Sequence, residues 1–378
     1  MLALVASIHA FHCRDKGVDA RDKHGHGGTG CASAPDADFA SCPMTARVHV
    51  IGAGLAGLSA ALRLAEAGRP VTIHESGPAA GGRCRSYFDR ELGLTIDNGN
   101  HLLLSGNNAA FAYLDAIGGT GALAGPATPT FPFHDLGTGA RWVVRPNVGR
   151  LPWWVVSPRR RVPGTWVKEY LDLLALRGIE DDRSVAEALP QGPLYERLIK
   201  PLAIAALNTP PETGLARLLG AVVRETLMQG GAACLPRFPR AGLSAAFVDP
   251  ALARLRALGA ELRTGRRVGG LAIEGERVAA LHLPDGPLKL APGESVILAV
   301  PPWVAGDMLP GLSVPDAFEA ILNIHFRLGA DPGPAGFVGL IAGTAEWVFV
   351  KEGHVSVTVS AAAASSSGQP AGSEAGPH

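Results

Sequence analysis

Two apolar rhythms alternate early in the chain. Val48, His49, Val50 and Ile51 form a short run rich in β-branched residues, and Leu55, Leu58, Leu62 and Ala65 then fall on one face of a helix. A second short run, Val71, Thr72 and Ile73, follows. A continuous β-branched run suits a buried parallel strand, and a 3.6-residue period suits an amphipathic helix packed beside it. The pattern therefore predicts strand, helix, strand, with Gly68 as the left-handed residue that ends the helix. Helical patterning returns over residues 167–176 and 243–257. The rhythm then shortens: residues 261–263, 267–273, 278–283 and 296–300 read as strands around turns at Glu274-Gly275 and Asp285-Gly286. Pro301-Pro302 ends the last of them.

The junction between the first strand and helix is Gly52, Ala53, Gly54, Leu55, Ala56 and Gly57. Gly52 lets the chain turn sharply, Gly54 lets a pyrophosphate approach the backbone, and Gly57 lets the helix pack closely. The helix start would then offer N–H groups and a positive dipole end to phosphate. Glu75, followed by Ser76, ends the second run where a carboxylate can accept hydrogen bonds from a ribose hydroxyl, which disfavours a phosphorylated ribose. Gly81-Gly82-Arg83 follows, a flexible loop beside a guanidinium that can stabilise pyrophosphate charge. A simple NAD fold has no use for that second loop, so the reading is FAD.

Composition narrows the class. The chain has 378 residues and 47% hydrophobic content, enough for two intertwined domains. Lys+Arg and Asp+Glu are both 34, so no global field draws nucleic acid. Five cysteines, Cys13, Cys31, Cys42, Cys84 and Cys234, are odd in number and widely spaced, which fits a reducing cytoplasm rather than a disulfide framework. The histidines and cysteines of the leader match no zinc spacing, so no metal is expected. Met1 to Ala10 is too short to span a bilayer. Trp142, Trp153, Trp154 and Trp166 stand among Arg159, Arg160, Arg161 and Lys168. Two arrangements suit them: rings and cations at a lipid headgroup boundary, or tryptophans in the core with solvated arginines.

Residues 81–87, Gly-Gly-Arg-Cys-Arg-Ser-Tyr, and 96–107, from Ile96-Asp97-Asn98-Gly99-Asn100-His101 to Asn107, resemble the squalene-associated FAD-dependent desaturases, or hydroxysqualene dehydroxylases. These belong to the amine oxidase and phytoene desaturase superfamily. The likeness continues through residues 201–211, 242–250 and 343–347 and covers roughly residues 44–360. It implies an α/β fold: a Rossmann-type, GR2-like FAD-binding domain with parallel sheet and β-meander, plus a discontinuous α+β substrate domain. On that plan residues 1–43 are a disordered leader, 44–110 and 241–302 bind FAD, and 111–240 and 303–360 form the substrate domain. Residues 361–378, Ala-, Ser- and Gly-rich, would stand in place of the family's flavin-closing segment, weakening cofactor affinity and fold integrity.

The resemblance further implies that Arg83, Asn98 and Gly99 join the cofactor contacts and that the backbone of Val268 meets the adenine. The implied reaction is reductive removal of the hydroxyl of hydroxysqualene: acid-assisted ionisation of the allylic C–O bond, then hydride delivery from reduced flavin. A carotenoid desaturase, an amine oxidase relative and an inactive flavin-binding remnant are the alternatives. His101 is the candidate proton donor or flavin contact, with a structural role capping the turn after Gly99 as the other reading. Expected partners are a long isoprenoid and the squalene-pathway synthases. The expected location is the cytoplasm, with peripheral contact at the inner face of the membrane.

Overall fold

The computed structural model describes residues 46–362; the leader, its histidines and cysteines, and the tail from residue 363 lie outside the described residues. The chain divides into two compact units. Of the described residues, one comprises those up to Gly82 with Ala251–Val314, the other Arg83–Pro250 with those from Pro315 onward.

In the first unit a four-stranded parallel sheet runs in the order Glu261–Arg263, Val71–His74, Val48–Ile51, Ser295–Leu298. Every residue of its two central strands is buried, as the unbroken β-branched runs require. The two histidines of those strands pair with each other. His49 Nδ1 lies 3.1 Å from His74 Nε2, and burial pushes the His74 pKa down to about 4, so this contact joins neutral rings. The helix Leu55–Glu66 buries Leu55, Leu58, Leu62 and Ala65, the face its periodicity predicted, and Gly68 follows it at φ +75°. Gly270–Glu274, Arg277–Leu283 and Gly286–Lys289 form an antiparallel meander. Its third strand carries Pro287, which hid it from a propensity reading.

The second unit holds a six-stranded sheet in the order Leu322–Phe326, His354–Val359, Trp347–Lys351, Phe337–Ile341, Phe131–Asp135, Arg141–Val144. One pair, Phe337–Ile341 with Phe131–Asp135, is parallel, and the rest are antiparallel. Helices Lys200–Leu207 and Ala216–Glu225 contribute to a core with Phe133, Trp142, Trp154, Tyr170 and Trp347. The helical pattern over residues 167–176 divides into an α-helix Val167–Asp172 and a tighter 3₁₀ stretch Leu173–Gly178. That over residues 243–257 opens with a widened i→i+5 turn, Ser244–Val248, ahead of the helix Asp249–Ala257. Tyr195–Ile199 widens in the same way before Lys200–Leu207. Pro201 and Pro250 stand second in those two helices, and a proline has neither an N–H to close the preceding α-turn nor room for the carbonyl four residues back.

Candidate functional site

In the first unit the glycine junction divides by cause. Gly52 sits at φ +102°, and a Cβ there would overlap the carbonyl oxygen of Ala299. A Cβ on Gly57 would overlap the carbonyl oxygen of Gly52, so the helix rests directly on the turn. Gly54 differs from both. Its φ is −71°, and nothing lies within 4 Å of where its Cβ would be. Chain packing accounts for the glycines at 52 and 57; the open space at 54 is a cradle that a side chain would fill.

Around that space the predicted residues assemble. Glu75 Oε2 accepts from the Ala53 N–H at 2.8 Å, and Oε1 accepts from the Gly77 N–H at 2.7 Å and from the Ser76 hydroxyl at 3.3 Å. The Gly81 N–H donates to the Ala53 carbonyl at 2.8 Å, and Gly81 bridges Gly54 in parallel. Gly82, at φ +55°, passes so close that a Cβ on it would stand 3.3 Å from Gly54 Cα. The backbone of Arg266 donates to the Glu75 carbonyl at 2.9 Å, which brings the segment leading to Val268 alongside. Val268 itself is buried in one cluster with Ile51, Leu281, Leu290 and Met308. Leu55 is buried, Ala56 half-buried, and no side chain caps the helix start at Gly54. Bare helix N–H groups, a carboxylate with lone pairs to spare and a glycine with open space form a donor and acceptor set that fits a pyrophosphate and a ribose.

The remaining predicted residues lie in the second unit. Arg83 is exposed, and its carbonyl accepts from Asn98 Nδ2 at 3.2 Å. Gly99 passes Asn323 closely: a Cβ on it would be 3.2 Å from that amide nitrogen. Beside them is a group that sequence reasoning did not find. Asp97 is buried, and its Oδ2 accepts from Lys351 Nζ at 2.7 Å; both side chains are under 10% exposed, at 3% and 8%. Its Oδ1 accepts from the Ser86 hydroxyl at 2.6 Å and from the Leu243 N–H at 2.7 Å. Burial opposes ionisation of Asp97, yet the Lys351 ammonium and these hydrogen bonds hold its carboxyl below the usual range. His101 has a buried Nδ1 with no hydrogen-bond partner among the described residues, and burial pushes its pKa down to about 4. It is a neutral imidazole at pH 7, which removes the near-neutral titration that suggested it as a proton donor.

The same unit contains a pocket whose empty space totals about 1180 Å³, its open mouth included. Its walls are aliphatic and aromatic, with Leu102, Phe131, Leu198, Leu202 and Phe349 among them. Asn100, Thr226, Thr358 and Ser360 are among its polar residues, and no charged side chain of the described residues lines it. The tryptophan cluster splits. Trp142 and Trp154 are buried, Trp154 lining the pocket, whereas Trp153 and Trp166 are 54% and 69% exposed. The Arg160 guanidinium stacks over the Trp153 ring at 4.5 Å.

Residues 55–330 match the family profile described as flavin containing amine oxidoreductase. The chain is 47% identical over 319 residues to the hydroxysqualene dehydroxylase of Rhodopseudomonas palustris, covering 84% of this chain and 76% of that protein. It is 46% identical over 318 residues to the hydroxysqualene dehydroxylase of Sinorhizobium fredii, with the same coverage of 84% and 76%. Among solved structures, an oxidoreductase from Methanosarcina mazei superposes with a TM-score of 0.62 at 17% identity, over 83% of this chain and 78% of that one.

Proposed function

The chain belongs to the flavin-containing amine oxidoreductase family and, within it, to the hydroxysqualene dehydroxylases, and from that membership we propose that it converts hydroxysqualene to squalene. It is an FAD-dependent oxidoreductase. The observation that carries the substrate reading is a large apolar pocket with a few neutral polar groups and no charge among the described residues that line it, which suits a long hydrocarbon bearing one hydroxyl. Burying such a chain contributes about 25 cal/mol per Å² of apolar surface, so affinity needs few polar contacts.

Gly54, the first-turn N–H groups of Leu55, Ala56 and Gly57, and the Gly81-Gly82 loop would cradle the pyrophosphate of FAD, with Glu75 on the ribose and Val268 toward the adenine. Arg83, Asn98, Gly99 and His101 are further candidates that rest on the family resemblance. Bound and reduced, the flavin supplies the hydride that replaces the hydroxyl, which leaves as water. The pocket holds the polyene in one pose and excludes bulk water from the reacting carbon.

The test is the FAD-loaded chain, incubated anaerobically with reductant and hydroxysqualene. Squalene is the expected product by gas chromatography and mass spectrometry. Its absence with flavin bound overturns the reading, and turnover of phytoene or of an amine instead selects the desaturase or oxidase alternative.

No helix among the described residues is long and apolar enough to cross a membrane. We propose peripheral contact through Trp153, Trp166 and Leu151, the last 80% exposed, next to Arg159, Arg160 and Arg161. The 3₁₀ turn Trp153–Val156 presents Trp153 outward while Trp154 lines the pocket, so an apolar substrate would arrive from lipid. Replacing the three arginines with serine should weaken co-sedimentation with anionic liposomes, and unchanged binding refutes docking there.

A further inference from the structure

Two residues that line the apolar pocket, Asn100 and Trp347, each carry a buried polar atom with no hydrogen-bond partner among the described residues. Asn100 points its Nδ2 at Ser356 Oγ, Thr358 Oγ1 and Asn323 Oδ1, at 2.7, 2.9 and 3.3 Å. That network sets the amide orientation and leaves Asn100 Oδ1 buried with no partner among the described residues. Trp347 Nε1 is likewise buried with no partner. Trp347 stands directly opposite Thr358 in the antiparallel ladder, so the two side chains share a sheet face, and Thr358 takes the Asn100 hydrogen bond. All three residues line the pocket. Tilted contacts with Phe133 and Phe337, at centroid distances of 5.9 and 6.0 Å, hold the Trp347 indole in place.

A buried acceptor without a donor and a buried donor without an acceptor each carry an uncompensated desolvation cost. An alcohol hydroxyl offers one O–H donor and two acceptor lone pairs, so one group satisfies both orphans. An ionised ligand would find no counter-charge in this wall, and a plain hydrocarbon would leave both atoms unpaired. We propose that Asn100 Oδ1 and Trp347 Nε1 form the subsite for the substrate hydroxyl, Asn100 accepting its O–H and the Trp347 indole donating to its oxygen. This inference rests on the pocket being the seat of the polyene. It makes the pocket selective for the alcohol over the alkene that replaces it, so loss of the hydroxyl weakens the hold on product.

The test compares binding of hydroxysqualene and squalene to the oxidised, FAD-loaded chain, in which no turnover occurs, by equilibrium partition from detergent micelles. The wild type should prefer the alcohol by roughly tenfold to a hundredfold. Trp347→Phe keeps a ring and deletes the N–H; Asn100→Leu deletes the carbonyl. Each should reduce the preference severalfold or abolish it while squalene is still taken up, an outcome that a general loss of packing would not produce. Should Asn100→Leu lose its flavin or its fold, Trp347→Phe carries the comparison alone. Equal wild-type affinity for alcohol and alkene, or full preference kept in Trp347→Phe, overturns the subsite. Uptake of neither lipid by the wild type would instead show that the pocket reading has failed.

Discussion

The two units of this chain confront water in opposite ways. The glycine junction turns backbone N–H groups and a carboxylate toward open space, and its shape is held by carbonyls seated against glycine hydrogens. The pocket unit hides an apolar void behind aromatic rings, and its polar groups are buried, some paired, some not. On the proposed reading, a ligand is recognised in the first unit because the chain leaves room for it, and in the second through hydrogen-bonding groups left unsatisfied. The first arrangement fails by steric intrusion and the second by unpaired charge, and those failures have different sizes.

The largest expected effect tests the buried pair. Lys351→Met removes the ammonium and leaves Asp97 ionised in an interior site, which should destabilise the protein by about 3–5 kcal/mol in urea unfolding. Asp97 has a folded pKa below its unfolded value. Its contribution is therefore fully present above the unfolded value of about 3.9 and is lost as pH falls through the lower folded value. The variant should lack this acid-limb slope. A loss under about 1 kcal/mol would place the pair in effective contact with solvent and erase the contrast.

Next comes intrusion at the junction. Gly57→Ala drives a methyl into the Gly52 carbonyl and should cost about 3 kcal/mol even without cofactor, because the backbone must shift. Gly54→Ala sharpens the comparison. Its φ of −71° is ordinary and its Cβ meets nothing, so the flavin-free chain should keep its stability within about 0.5 kcal/mol. Its FAD affinity, measured by flavin fluorescence, should fall by tenfold or more, since the methyl occupies the cradle. Equal losses in the two variants, with or without flavin, would show that Gly54 serves packing after all.

These two modes also explain what could be read in advance. The strand, helix and second strand, with Gly52, Gly54, Gly57 and Glu75, follow from local periodicity and lie within 28 consecutive residues, from Val48 to Glu75. The pocket unit depends on distant pairings. Lys351 meets Asp97 across 254 positions, and neither residue carries a local sign of the other. Phe131–Asp135 pairs with Phe337–Ile341, a contact that no period announces. One signal was present and unused. His354, Val355, Ser356, Val357, Thr358 and Val359 alternate polar with β-branched, the mark of a strand with two unlike faces, and the Ser356 and Thr358 face is where Asn100 docks. Nor was it legible that His101, a half-buried residue, hides its Nδ1 without a partner among the described residues, since nothing in the local sequence marks it.

The smallest expected effect concerns that histidine, and it tests the buried interior at a single atom. With its pKa pushed down to about 4, His101 carries no charge between pH 5 and 8, so it holds no imidazolium to deliver a proton. The pH dependence of turnover over that interval should have the same shape in wild type and His101→Ala, whatever the change in absolute rate. An inflection near 6.5 that the variant abolishes would restore the acid role. Stability offers a second reading with a definite sign. Because the folded pKa lies below the unfolded value of about 6.5, the folded state resists protonation. Wild-type stability relative to His101→Ala should thus be greatest above pH 6.5 and decline as pH falls toward 4. A difference that stays constant over that range would mean the imidazole is as well solvated in the fold as in the unfolded chain, and its orphaned Nδ1 would then have a partner in water.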